Sequence, residues 1–292
     1  GYSNDLPEIN YDFNAPIRQY GTISDNYREI RLLAYFLQDF GADLAVLPAD
    51  IDPDFVKPGD THTLRVSVRH DDTHGYVFVN NYQRRLTMDD HKGVVLEGKT
   101  AGAPVVFPAT DIESGEYAFY PYNMKLGEHL LLSALATPLC KLTVDGENVY
   151  VFYGDKDPQF TWGTTPAKVL MLTRKQALSA ARVSLKSSEN QATQEYLIFS
   201  DNFVWEEDGK LTVVGGEKTE IRTFPKLEEN VIPEGFVESG VEGDLTIYTR
   251  DLTQSGSNTQ GVTVTFSESA QTSESLSGKL VNSCGKQQAL NG

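Results

Sequence analysis

The sequence predicts a mainly β protein made of antiparallel β-sandwich domains, with one long helix near its start. Short β-branched and aromatic runs recur at spacings of about 8–12 residues with turn residues between them, which is the pattern of antiparallel sandwiches rather than of alternating β-α-β units. Two of the intervals are Asp-Gly pairs, Asp145-Gly146 and Asp208-Gly209, the dipeptide that favours tight hairpin turns.

The helix comes first. Ser24 can cap it and Gly41 can end it, and Tyr27, Ile30, Leu33, Leu37 and Phe40 recur at three- and four-residue steps. These five share one face, which is expected to be buried. Strands are then expected over 63–68, 76–82, 94–97, 117–120, 142–144 and 149–153. A short second helix starts at Thr173, because Thr173 and Gln176 have capping-box spacing and lead into Ala177, Leu178, Ala180 and Ala181. More strands follow over 196–199, 202–205, 211–214, 220–224, 245–248 and 262–266. A Pro/Asp-rich connection at 48–53 and a second break around 228–235 divide the chain into 1–48, 49–227 and 228–292. The last part is rich in Ser, Thr, Gln and Gly beyond Asp251.

Composition removes whole classes of function. With 39% hydrophobic and 10% aromatic residues in a length of 292, the chain can build real cores and is not disordered. A net charge of −16 repels phosphate backbones and anionic lipid headgroups, so no nucleic-acid partner and no membrane partner is expected. The longest apolar stretch, 130–136, is broken by Ser133 and is far shorter than the ~18 residues that cross a bilayer. The opening Gly1-Tyr2-Ser3-Asn4-Asp5 has no Met, no basic segment and no apolar segment, and reads as the start of a fragment. Cys140 and Cys284 are too few for a disulfide framework and read as free, incidental thiols.

Several motifs invite a chemical reading, and each has a plainer one. Residues 93–100 match the phosphate-loop letters G-x-x-x-x-G-K-T, but the middle letters are strand formers and Ala101-Gly102-Ala103-Pro104 prevents the helix such a loop requires. Asp50, Asp52 and Asp54 alternate as in a calcium loop, yet Phe55 and Thr61 stand where that loop needs Gly and Glu. His70-Asp71-Asp72-Thr73-His74 offers two imidazoles and two carboxylates without a convincing third ligand, so a solvated turn is expected and no metal is assigned. Trp162, Trp205 and the Tyr-rich run 117–122 are the residues that would stack on sugar rings, with core packing as the simpler use of the same side chains.

One segment carries a specific likeness. Tyr11-Asp12-Phe13-Asn14-Ala15-Pro16-Ile17-Arg18-Gln19-Tyr20-Gly21, followed by Tyr27-Arg28-Glu29-Ile30-Arg31, resembles a stretch of glycoside hydrolase family 35 β-galactosidases. There, S-Y-D-Y-D-A-P-(I/L)-x-E-x-G precedes K-Y-x-x-L-R. The resemblance implies that residues 1–48 are the last loop and last helix of a (β/α)8 barrel, and that the β region after them is the sandwich part that buttresses it. It places both catalytic glutamates of a retaining mechanism before Gly1, so no catalytic residue is assigned in this chain. Tyr11 matches a family tyrosine that holds the galactose. Phe13 matches a second one, keeping the ring and losing the hydroxyl, and Asn14 replaces an aspartate.

The expected function is therefore that of a fragment of a retaining β-galactosidase. Its partners would be a galactose-containing carbohydrate and the remainder of the barrel, with no cofactor and a periplasmic or extracellular location. The competing expectation is a free-standing carbohydrate-binding or adhesion module whose exposed aromatics meet the sugar. A purely structural sandwich is the third.

Overall fold

A computed structural model describes residues 15–50, 56–186, 193–254, 279–281 and 287–289. Tyr11, Phe13, Asn14, the carboxylates at 52 and 54, and the strand expected over 262–266 lie outside them. Residues 1–254 make one compact unit and 255–292 a second. In the second, Lys279–Val281 pairs antiparallel with Gln287–Ala289.

The first unit opens with helix α1, Asp25–Val46. It runs past Gly41, the residue expected to end it, and stops before Pro48, whose ring disfavours a helical residue ahead of it. Its covered side shares only Phe40 with the expected stripe, of which Tyr27 is half-buried. Leu32, Phe36 and Phe40 are buried at successive four-residue steps, whereas Ile30, Leu33 and Leu37 are 52%, 51% and 44% exposed. The two sets are about 90° apart around the helix, and both are apolar. Periodicity alone therefore could not choose between them. The polar neighbours of the buried set decide it, since Tyr35 and Asp39 lie on that side and bond to the sheets beneath.

Strands β1 (Ala49–Asp50), β2 (Arg65–His70), β3 (Gly75–Asn80), β4 (His91–Val94), β5 (Glu97–Gly98), β6 (Val105–Val106) and β7 (Thr110–Ile112) follow α1. Next come β8 (Tyr117–Leu126), β9 (His129–Ser133), β10 (Thr137–Val144), β11 (Glu147–Tyr153), β12 (Thr161–Trp162) and β13 (Val169–Leu172). Helix α2 (Arg174–Ser179) then leads into β14 (Ala180–Lys186), β15 (Thr193–Phe199), β16 (Phe203–Glu207), β17 (Lys210–Val214), β18 (Lys218–Phe224), β19 (Val237–Glu242) and β20 (Leu245–Asp251). The protein is thus mainly β, as predicted.

The largest sheet has the order β1-β2-β3-β8-β9-β12 and is antiparallel throughout. A second sheet, β10-β11-β13, contains one parallel pair, β11 with β13. The third, β14-β15-β18-β20-β19, is antiparallel and runs across residue 228, where the sequence suggested a break. Both Asp-Gly pairs close hairpins as expected. Asp145 and Gly146 have φ of +51° and +79°, and Asp208 and Gly209 have +54° and +78°, the left-handed pair of a type I′ turn. Thr173 caps α2 with the full reciprocal box: its hydroxyl accepts from the Gln176 backbone, and the Gln176 side chain accepts from the Thr173 N–H.

Helix α1 lies over the seam between the first two sheets. Phe36 enters an aromatic cluster, with ring centroids 4.7 Å from Phe119 and 5.6 Å from both Tyr76 and Phe40. Leu32 joins a different cluster, built from Leu139, Leu142, Val151 and Leu197. A polar knot fixes the helix in register. Arg182 of β14 bonds Asp39 of α1 at 2.8 Å, Glu195 of β15 at 2.6 Å and the Lys141 carbonyl of β10 at 2.9 Å, while its own backbone N–H donates to the Tyr35 hydroxyl. Arg28 and Arg31 both donate to the Leu178 carbonyl at the end of α2. The helix is consequently held by burial on one side only.

Candidate functional site

Two expected sites resolve into packing. In the 93–100 stretch, β4 and β5 occupy the place where a phosphate loop would turn. Gly98 is there because a Cβ would stand 2.5 Å from the Tyr122 ring, and the Tyr122 hydroxyl donates to the Lys99 carbonyl at 2.8 Å. The Lys99 ammonium pairs with Asp50 rather than facing an open anion site. Cys140 is fully buried, and that burial pushes its thiol up to about 12, so it is no nucleophile.

The loop His70-Asp71-Asp72-Thr73-His74 is an ordered turn. The Asp71 carboxylate accepts from the backbone N–H groups of Thr73 and His74 and from the Thr73 hydroxyl, which holds it well below the usual carboxylate range, the His74 N–H contributing most. His74 bridges it to α1, its Nε2 lying 2.9 Å from Asp43. Among the described residues no group of three or more His, Cys, Asp or Glu side chains is arranged to hold a metal ion. No helix among them is long and apolar enough to cross a membrane.

Of the aromatics proposed for sugar contact, Trp162 is half-buried and stacks on Phe160 within the core, at 6.0 Å and 27°. Tyr120 and Tyr122 are buried as well. Tyr117 is not: it is 43% exposed and pairs with the 50%-exposed Tyr82 at a centroid distance of 6.2 Å. These two rings stand at a groove beside the first turns of α1, lined by Asn26 and Glu29 of the helix and by Phe78, Asn80 and Phe119 of the sheet. A smaller cavity of about 290 Å³ continues from it past Tyr153 to Arg174.

The groove is built by three distant segments. Glu29 comes from α1 and Tyr117 from the start of β8. Arg174 comes from the first turn of α2, which the capping box at Thr173 sets in place. The Arg174 guanidinium lies 4.7 Å over the Tyr117 ring and donates to Glu29 at 2.6 Å and 2.8 Å. Its backbone N–H donates to Asp155 at 2.9 Å. At the far wall Lys156 meets both oxygens of Glu116 at 2.6 Å. Burial raises the Tyr117 hydroxyl above its ordinary value and pushes Tyr153 up to about 12, so both remain protonated donors at neutral pH.

The carboxylates of Glu29, Glu116 and Asp155 each accept from a cation or a backbone N–H of the chain. What remains on offer is two ring faces, tyrosine hydroxyls and immobilised planar polar groups, which suits the mixed apolar and hydroxyl surface of a sugar. Sequence reading found Tyr117 inside the Tyr-rich run but missed Tyr82, Glu29 and Arg174. Arg174 was visible only as the residue after a helix cap, and no local pattern joins residues 145 positions apart.

Comparison with protein-family models and with curated proteins returns no match for this chain.

Proposed function

We propose that this chain is the C-terminal, non-catalytic part of a retaining β-galactosidase resembling glycoside hydrolase family 35. On this reading α1 is the last helix of the catalytic barrel, Tyr11 contacts the galactose and Phe13 forms an apolar wall of the same pocket. The observation that carries the proposal is the second apolar face of α1. Ile30, Leu33 and Leu37 are about half exposed on a helix whose adjacent apolar face, a quarter-turn away, is already covered by the β region. A helix that borders one core has one apolar stripe, and a helix shared by two bodies has two. The last helix of a barrel backed by a β domain is such a shared helix.

The tyrosine groove fits the same reading. Barrel active sites lie at the end of the strands that feeds into the helix N-termini, and the groove is lined by Asn26 and Glu29 of the first turns of α1. It would thus border the side of the barrel on which substrate enters. The parent reaction is retaining hydrolysis of a terminal β-linked galactose, with both reactive carboxylates outside these 292 residues.

Turnover of a chromogenic β-galactoside tests this. The chain extended by its upstream coding sequence should hydrolyse it with retention, and the 292-residue chain alone should not. Appreciable turnover by the chain alone overturns the reading.

A second reading keeps one specific observation. Phe203 and Trp205 are 36% and 40% exposed on the outer face of the β16·β17 ribbon, opposite the inward-packed Leu211 and Val213. A free-standing sugar-binding module would use this face. Glycan binding by the chain alone, abolished by Trp205→Ala without a change in melting temperature, would favour it.

A further inference from the structure

A separate cavity of about 580 Å³ opens at the opposite end of α1 from the tyrosine groove, within the ~300–1,000 Å³ range of small-molecule sites. Its apolar floor is Phe40, Met124 and Leu130. Its polar lining differs from that of the groove in one respect, namely which charges are satisfied. Asp39 accepts from Arg182 and from the Lys141 backbone N–H, and Asp43 accepts from the Tyr76 hydroxyl at 3.0 Å and faces His74 at 2.9 Å. Arg182 is shared with Glu195, and His74 with Asp71. Every acid bordering the cavity is thus engaged by a donor of the chain.

The two cations are not. Among the described residues neither the Lys125 nor the Lys141 ammonium forms an ion pair, although both line the cavity. By contrast Lys92, Lys99, Lys156, Lys168, Lys218 and Lys226 each meet a carboxylate. Lys57, Lys175, Lys186 and Lys210 likewise form no ion pair among the described residues, but Lys125 and Lys141 line the same concavity. Lys141 is moreover half-buried, where an uncompensated charge is less screened and gains more from an incoming anion.

We propose that this cavity binds a small anionic saccharide, with its carboxylate or sulfate set between Lys125 and Lys141 and its carbon face on Phe40, Met124 and Leu130. The saccharide half of the proposal rests on the sugar-handling reading above. The anionic half rests on the two lysines alone. No chemical step is assigned to the site, which is a binding subsite remote from the first turns of α1.

Calorimetric titration of the 292-residue chain tests it, with galacturonate, galactose 6-sulfate, galactose, galactosamine and inorganic sulfate as probes at low and physiological salt. Galacturonate or galactose 6-sulfate should bind about tenfold or more tightly than galactose, and weaken as salt is raised. Whichever of the two binds identifies the acid group. Lys125→Met, an exposed site, and Lys125→Met/Lys141→Met should each weaken that binding with little change in melting temperature. Galactose or galactosamine binding as tightly as the anions, or unaltered binding by both variants, overturns the proposal. Inorganic sulfate binding as tightly as the sugars overturns its saccharide half. No binding by either anionic sugar overturns it whole. Because hydrolysis is not measured, these results are independent of the turnover assay on the extended chain.

Discussion

Truncating Phe36 should unfold this protein far more readily than altering Leu33, three residues away on the same helix. Phe36 is 1% exposed and meets three aromatic rings within 5.6 Å, so Phe36→Ala removes a whole ring from a packed cluster. Such substitutions cost about 3–5 kcal/mol. For a unit of this size, a change of 1 kcal/mol moves the melting temperature by roughly 2–4 °C, so the expected fall is about 6–20 °C. Leu33 is 51% exposed, and Leu33→Ser should cost no more than about 0.5 kcal/mol, a shift near 2 °C. Thermal melts followed by circular dichroism, with urea titrations as a check, would read both. Equal losses at the two positions would show that the outer face of α1 is covered in the isolated chain and would refute the two-faced helix.

Three further outcomes follow from the same geometry. Gly98→Ala should lower the melting temperature by several degrees, because its Cβ would press into the Tyr122 ring. A neutral result in a thermal melt would remove the packing explanation of the phosphate-loop letters. Cys140 should resist thiol reagents in the native protein and react on unfolding in urea, since burial raises the thiol to about 12. Rapid native labelling of a Cys284→Ser background would contradict its burial. Asp71 is held in its charged form by backbone donors, so its folded value lies below its unfolded value of about 4. Its contribution is therefore fully present above pH 4 and lost as the pH falls toward the folded value. Melts between pH 5 and pH 2 should show a smaller acid-induced loss for Asp71→Asn than for the parent chain, and parallel curves would contradict this.

What the sequence revealed and what it hid divide along the range of the interactions. Thr173 with Gln176, and the two Asp-Gly turns, were legible because each is a contract between residues at most three positions apart. The strand expected over 117–120 proves longer. It runs through Pro121 to Leu126, because β3 pairs with it as far as Tyr122 and β9 continues the pairing from Tyr122 to Leu126. The parallel pairing of β11 with β13 had no local signature at all. The covered face of α1 was misassigned for a physical reason: the helix has two apolar arcs, and hydrophobic spacing reports that an arc exists without saying what covers it. The tyrosine groove was legible only at Tyr117. Its other parts arrive from three separate elements, and only folding brings Glu29 and Arg174 within a hydrogen bond.

On the proposed function, α1 belongs to two bodies, this β unit and a catalytic barrel encoded upstream. The most direct measurement is the rate at which a thiol reagent modifies a Leu33→Cys, Cys284→Ser variant, in the 292-residue chain and in the polypeptide extended by its upstream segment. Cys140 remains as the buried internal reference. Modification should be fast in the chain alone and at least about tenfold slower in the extended polypeptide, as expected for a residue taken from half exposure into a packed interface. Equal rates in the two, or an upstream sequence with no barrel to cover the helix, would contradict it.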